Sequence, residues 1–270
     1  MLKNVKEAYR ESKKSTLIVY FILRTLVIIS LIAQILHRNW DNVFLCVLTL
    51  ILFLIPFIVD RRLKIELPNA LEIIILLFIF SAEILGELQN FYGIFKHWDT
   101  MLHTINGFLC AAIGFSLVDI FNKSENVHIN LSPIFVAVVA FCFSMTIGVL
   151  WEFFEFTGDQ VFQMDMQKDT IVNSISSIHL NPEGKNKEYT IDDIDHTVIY
   201  HEDKNGNLVE TTIEGGYLDL GIIDTMKDLI VNFIGAIVFS IIGYLYIKNR
   251  DEYQFAEKFI PRLKRNRDVK

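Results

Sequence analysis

The chain has 270 residues, 52% of them hydrophobic, with 22 Phe against 13 Gly and 5 Pro, and a formal charge of −7. That composition excludes a disordered chain, and the acidic balance excludes a general nucleic-acid binder. The apolar residues fall in blocks of about 20 with the charges swept between them, the length of helix that crosses a hydrocarbon core of about 30 Å.

The sequence therefore reads as an all-α polytopic membrane protein. A basic N-terminus occupies 1–16, and six transmembrane helices are predicted near 17–36, 42–59, 70–88, 99–120, 133–154 and 229–247. Five of them lie within 17–154, and the sixth within 228–247. An acidic loop fills 155–227, and a basic tail closes the chain over 248–270. The first span has no small-residue cleavage signal near Ile35 and reads as a retained signal-anchor. No span alternates with a period of two, which argues against a β-barrel.

Lys and Arg set the orientation. Seventeen of them fall on one side of this arrangement, among them Lys3, Lys14, Arg61, Lys64, Lys123 and Arg262; the short loops opposite hold Arg38 and Lys96. Both termini are expected in the cytoplasm and the 155–227 loop outside. That loop carries 15 acids and 5 Lys, a net of −10, so the rest of the chain is +3. The tail aromatics Tyr253, Phe255 and Phe259, with Leu263, are expected to rest on anionic lipid headgroups. Arg24, inside the first span, reads as snorkelling, with Glu72 as an alternative partner. Trp98 and Trp151 read as interfacial anchors. Cys46, Cys110 and Cys142 lie inside spans and read as small buried hydrophobes.

Within the acidic loop, Thr197–Tyr200 and Leu208–Ile213 flank Asn205-Gly206. That pattern predicts a small extracytoplasmic β-hairpin insert between helices five and six, with a type I′ turn. The loop also contains an echo. Asp165–Asn173 and Asp224–Asn232 share D-x-x-K-D-x-I-V-N. Only the second copy runs into an apolar span, so the functional weight falls there.

Polar residues survive in or beside four spans. Span three ends with Glu83 and Glu87. Span four opens with Trp98, Asp99 and His103, then Asn106. Span five ends in Trp151-Glu152-Phe153-Phe154-Glu155. Span six begins with Asp224, Asp228 and Asn232. With the orientation above, all four clusters converge on the outer leaflet. The pairs Glu83/Glu87, Asp99/His103 and Asp224/Asp228, with Asn232 after them, are spaced i,i+4 and share a helix face. Carboxylates inside a membrane must be protonated, paired or bound to a cation. One His with several carboxylates is a ligand set for a divalent metal, Zn²⁺, Mn²⁺ or Mg²⁺. The expected ligands are Glu83, Glu87, Asp99, His103, Glu152, Glu155, Asp224 and Asp228, with Asn106 and Asn232 orienting them. Each acid near a helix start has a plainer reading as a cap or a headgroup contact.

At Asp99-x-x-x-His103, Trp151-Glu152-Phe153-Phe154-Glu155 and Asp224–Asp228-x-x-x-Asn232-x-x-Gly235, the sequence resembles the YjdF-like family of bacterial membrane proteins. More distantly it is similar to the VanZ-like family, in which D-x-x-x-H opens one span and D-x-x-x-N-x-x-G enters the last. The resemblance covers roughly residues 70–247 and implies a bacterial inner-membrane protein with a shared polar site. The long insert departs from it. The expected chemistry, with Asp99, His103, Glu152 and Asp228 as acid/base groups or ligands, is metal-assisted hydrolysis or transfer on a lipid or cell-envelope substrate. The alternatives are a proton- or ion-coupled transporter and a non-catalytic envelope or assembly factor.

Overall fold

The computed structural model describes residues 2–62, 65–122 and 131–263. Lys64, Lys123, Lys264, Arg265 and Arg267 of the charge count lie outside the described residues, as do the side chains of residues 1–13, Arg61, Arg62 and Leu263. In chain order the structure has α1 (Leu2–Leu36), α2 (Trp40–Leu52), α3 (Ile55–Arg62), β1 (Ile65–Glu66), α4 (Asn69–Phe80), α5 (Phe91–Ile94), α6 (Trp98–Asn122) and α7 (Pro133–Phe162). The strands β2 (Ile171–Val172), β3 (Ile175–Ser177), β4 (Tyr189–Ile191), β5 (His196–Glu202), β6 (Leu208–Glu214) and β7 (Tyr217–Leu218) follow, then α8 (Ile222–Lys248) and β8 (Arg262–Leu263). The chain folds as two compact units, Met1–Leu150 with Asp228–Lys270, and Trp151–Lys227.

Among the described residues, five helical stretches are long and apolar enough to cross a membrane: Lys14–Leu36, Trp40–Val59, Trp98–Ile120, Pro133–Phe162 and Ile222–Lys248. The second is interrupted at Phe53–Leu54, just before Pro56, whose ring has no N–H to continue the ladder. The expected span over 70–88 is not among the five. It is built as α4 running without a gap into a π-helix, Ser81–Leu88. There the Gln89 N–H reaches back five residues to the Ile84 carbonyl at 2.9 Å.

The first unit has two cores. One joins Phe115 and Phe239 to the small residues Ala111, Ala112, Ala140 and Ala236, all fully buried. Where lipid and protein are equally apolar, close contact of small residues is what draws helices together. The other packs Leu23, Val27, Cys46, Phe53 and Leu76. Contacts of α6 with α8 and the turn just past it advance in step, from Asn106 with Asn232, through Phe115 with Tyr246, to Asp119 with Arg250. The two helices therefore run parallel. Arg24 donates to the Tyr20 hydroxyl, with its guanidinium 5.7 Å from that ring's centre, so it is held by a tyrosine one turn away.

The tail corrects the lipid-resting expectation for Phe259. Its ring stacks edge-on against Phe108 at 5.2 Å, and Ala256 and Ile260 are fully buried. β8 pairs antiparallel with β1, and Arg262 bonds Glu257 at 2.6 Å. Phe255 stays exposed.

The second unit contains three two-stranded antiparallel pairs, β2–β7, β3–β4 and β5–β6. β5–β6 is the expected hairpin, aligned from His196 opposite Glu214 to Glu202 opposite Leu208. Its turn is not type I′. Gly206 N–H bonds the Asp203 carbonyl at 3.0 Å, and only Gly206 takes positive φ there. This is a type I turn closed by a glycine bulge, with the Asp203 carboxylate accepting from the Asn205 and Asn207 amides. The echo is not repeated in structure. The segment over 163–170 is irregular, whereas its counterpart is the first turns of α8. The two lie against each other: Lys168 N–H donates to Asp224 at 2.8 Å, and Gln167 bonds Thr225.

Candidate metal centre

The centre lies in the first unit, where α6 and α8 meet. Asp99 stands in the first turn of α6, where the helix dipole favours a carboxylate. His103 follows one turn later on the same face. Asp228 and Asn232 form the matching stripe on α8. These helices touch closely because glycine is placed at the crossing. A Cβ on Gly235 would strike the Thr104 carbonyl, and one on Gly107 would strike the Asn232 carbonyl. From α7, Gly148 leaves room for the Asn232 amide, and Ser144 Oγ donates to the Gly107 carbonyl at 2.7 Å.

The result is a compact group. His103 Nε2 stands 3.5 Å from Asp99 Oδ1 and 3.9 Å from Asp228 Oδ2. One ligand atom from each of the three lies within 4.8 Å of the others. Nitrogen–oxygen hydrogen bonds run at about 2.7–3.2 Å, so both separations are too long for one. Two ligands at about 2.1 Å from one tetrahedral cation stand about 3.4 Å apart, so the spacing suits donors around a common ion. His103 and Asp228 are buried, and the Asp99 side chain keeps 35% of its surface exposed. The group is therefore open on the Asp99 side. Behind it, Asn106 donates to Asn232 Oδ1 at 3.3 Å, the Asn232 amide lies 3.7 Å from the Met145 sulfur, and Asn232 is almost fully buried. These asparagines fix the faces of α6 and α8 that carry His103 and Asp228.

Glu83 and Glu87 join no ligand-spaced group of three among the described residues. The Trp98 indole donates to the Ser81 carbonyl at 3.3 Å, which ties the start of α6 to the π-helix. Trp98 also stacks on Phe91 at 4.9 Å, so it works as a clamp as well as an anchor.

Three other expected ligands belong to the second unit. Glu152 and Glu155 are buried carboxylates on α7, and Glu155 accepts from the Trp151 indole at 2.8 Å. Asp224 holds the Lys168 amide. Asp219, which the sequence reading passed over, is the true cap of α8, accepting from the Ile223 amide at 2.8 Å and from Thr170 at 2.6 Å. Asp159 likewise accepts from the Met166 and Gln167 amides. Ser144, Gly107 and Gly148 were also missed. Their signal is a small residue in an apolar span facing a polar partner.

The fold and this group define a helical membrane protein with a buried carboxylate–imidazole cluster between its spans. Residues 17–249 match the family described as Predicted membrane protein (DUF2238), and the chain belongs to that family. It is similar to a Thermotoga maritima protein described as "Uncharacterized protein", at 26% identity over 106 residues, 39% of this chain and 53% of that one. The chain thus spans about half the length of that curated relative. No solved structure matches it.

Proposed function

We propose that Asp99, His103 and Asp228 bind one divalent cation, Zn²⁺, Mn²⁺ or Mg²⁺, and that the protein uses it in hydrolysis or group transfer on a lipid or cell-envelope substrate. The observation that carries this reading is the pair of separations at His103, 3.5 and 3.9 Å, between buried side chains of two parallel helices. A cation held there would polarise a bound water or a substrate oxygen. Asp99, the most exposed of the three, faces the side from which substrate arrives and is the acid/base candidate. His103 and Asp228 are the inner ligands, and Asn106 and Asn232 hold them in place. Glu152, Glu155 and Asp224 stand as further ligand candidates on the sequence pattern alone, as do Glu83 and Glu87 at lower rank. The motifs shared with the YjdF-like and VanZ-like patterns are the same residues.

Six spans, an inner-membrane location and cytoplasmic termini complete the reading. The supports are the charge asymmetry, the continuous helix over 69–88 and the parallel course of α6 and α8. A transporter built on internal repeats is disfavoured, because the two copies of the echo have different conformations.

Metal analysis of the purified protein tests the site. Near-stoichiometric metal in the wild type, lost in His103→Ala and Asp228→Ala, is the expected outcome. Metal retained in both variants contradicts it. For topology, a cysteine placed at Asn205 should react with an impermeant thiol reagent in intact cells.

A further inference from the structure

A cavity lies between α1, α2–α3 and α4, with a volume of about 300 Å³. Its walls include Leu17, Tyr20, Phe53, Phe57 and Leu76, and its polar members include Thr16 and Glu72. That size, an apolar lining and a few fixed polar groups are the ordinary make-up of a ligand site.

Two observations say what it takes. First, Leu17, Leu54 and Phe57 on its rim are exposed apolar residues of the spanning stretches, so the mouth opens toward lipid. Second, Thr16 is 5% exposed, and its hydroxyl has no hydrogen-bond partner among the described residues. Thr49, Thr104, Ser116 and Thr146, by contrast, donate to the carbonyl four residues back, while Ser240 of α8 shares the state of Thr16 among the described residues. A buried hydroxyl without a partner costs about 1–3 kcal/mol, which a polar group seated beside it would recover.

We propose that this cavity binds a phospholipid with a primary-amine headgroup. An acyl chain occupies the apolar wall. The ammonium donates to Glu72, whose carboxylate offers several acceptor positions and so discriminates against anionic headgroups. The phosphodiester accepts from Thr16 and lies near exposed Lys14. A choline headgroup has no N–H to give Glu72 and is the weaker ligand. This site is independent of the metal centre.

Native mass spectrometry of the full-length protein, released from nanodiscs containing equal phosphatidylethanolamine, phosphatidylcholine and phosphatidylglycerol, is the test. One retained phosphatidylethanolamine per chain is expected, in at least fivefold excess over either competitor. Glu72→Gln should erase that preference while leaving total lipid occupancy. Leu17→Trp, at the exposed rim, should fill the cavity and remove the adduct without lowering the melting temperature. No retained lipid, equal retention of phosphatidylglycerol, or an adduct that survives Leu17→Trp overturns the proposal.

Discussion

Asn232 of α8 accepts a hydrogen bond from Asn106 of α6 at 3.3 Å, and it does so where Gly107 and Gly235 bring the two helix backbones together. The polar bond and the glycine contact cooperate. Glycine lets the backbones approach, and the approach brings the asparagines into register one turn away from Asp228 and His103. The candidate centre is thus positioned by the crossing itself.

Filling that crossing should disturb fold and site together. Gly235→Ala adds a methyl group where the Thr104 carbonyl already lies. Overpacking of this kind costs about 1–3 kcal/mol. A lowered melting temperature in detergent, with weaker metal retention, is expected from Gly235→Ala and from Gly107→Ala.

Asn232→Ala separates stability from affinity. A hydrogen bond between membrane helices is worth only about 0.6 kcal/mol on average. Loss of an orienting partner behind a metal ligand commonly lowers affinity 10–100-fold. The variant should therefore melt close to the wild type yet bind metal at least tenfold more weakly in a competition titration.

At the far end of the same helices, Asp119 is buried and pairs with Arg250 at 3.4 Å, while Arg250 is nearly half exposed and lies 5.3 Å from the centre of the Tyr246 ring. The two truncations should not be equivalent. Arg250→Ala removes one partner of a buried carboxylate and should cost up to about 3 kcal/mol. Asp119→Ala frees an arginine that can swing outward and should cost less. Thermal melts of both variants check the order.

Acid should loosen the second unit at the start of α8. Burial alone would raise the Asp219 carboxyl, but the amides of Thr170, Ile223 and Gly221 outweigh it and hold the group below its ordinary value. A carboxyl depressed in the folded state stabilises the fold fully above its unfolded pKa, near 3.8, and less as pH falls through the lower folded value. Hydrogen exchange at the Thr170 and Ile223 amides should therefore lose protection below about pH 4. Asp219→Asn should show weaker protection at neutral pH and a flatter acid limb.

The spans were legible because helix length in a bilayer is set by hydrophobic thickness, and residues such as Leu17 to Leu36 carry that signal without ambiguity. The stripe Asp99/His103 and the stripe Asp228/Asn232 were legible because i,i+4 spacing fixes a face whatever the helix packs against. What could not be read was which stripes meet. Glu83 and Glu87 have the same spacing, and spacing within one helix does not say which neighbouring helix its face meets. Nor does sequence say that Asn205-Gly206 closes as a type I turn, because Asp203, two residues earlier, captures the amides that decide it. The tail was misread at Phe259 because basic residues around an aromatic look alike whether the ring meets lipid or Phe108.

Cobalt(II) titration followed by visible absorption tests the central claim most directly. Cobalt bound by one imidazole and carboxylates in a four-coordinate site gives intense ligand-field bands, so wild-type protein should saturate at one equivalent with those bands. His103→Ala should lose them and Asp228→Asn should weaken them, with both variants still folded. Wild-type protein that takes up no cobalt, or a His103→Ala spectrum identical to the wild type, would contradict a metal centre at Asp99, His103 and Asp228.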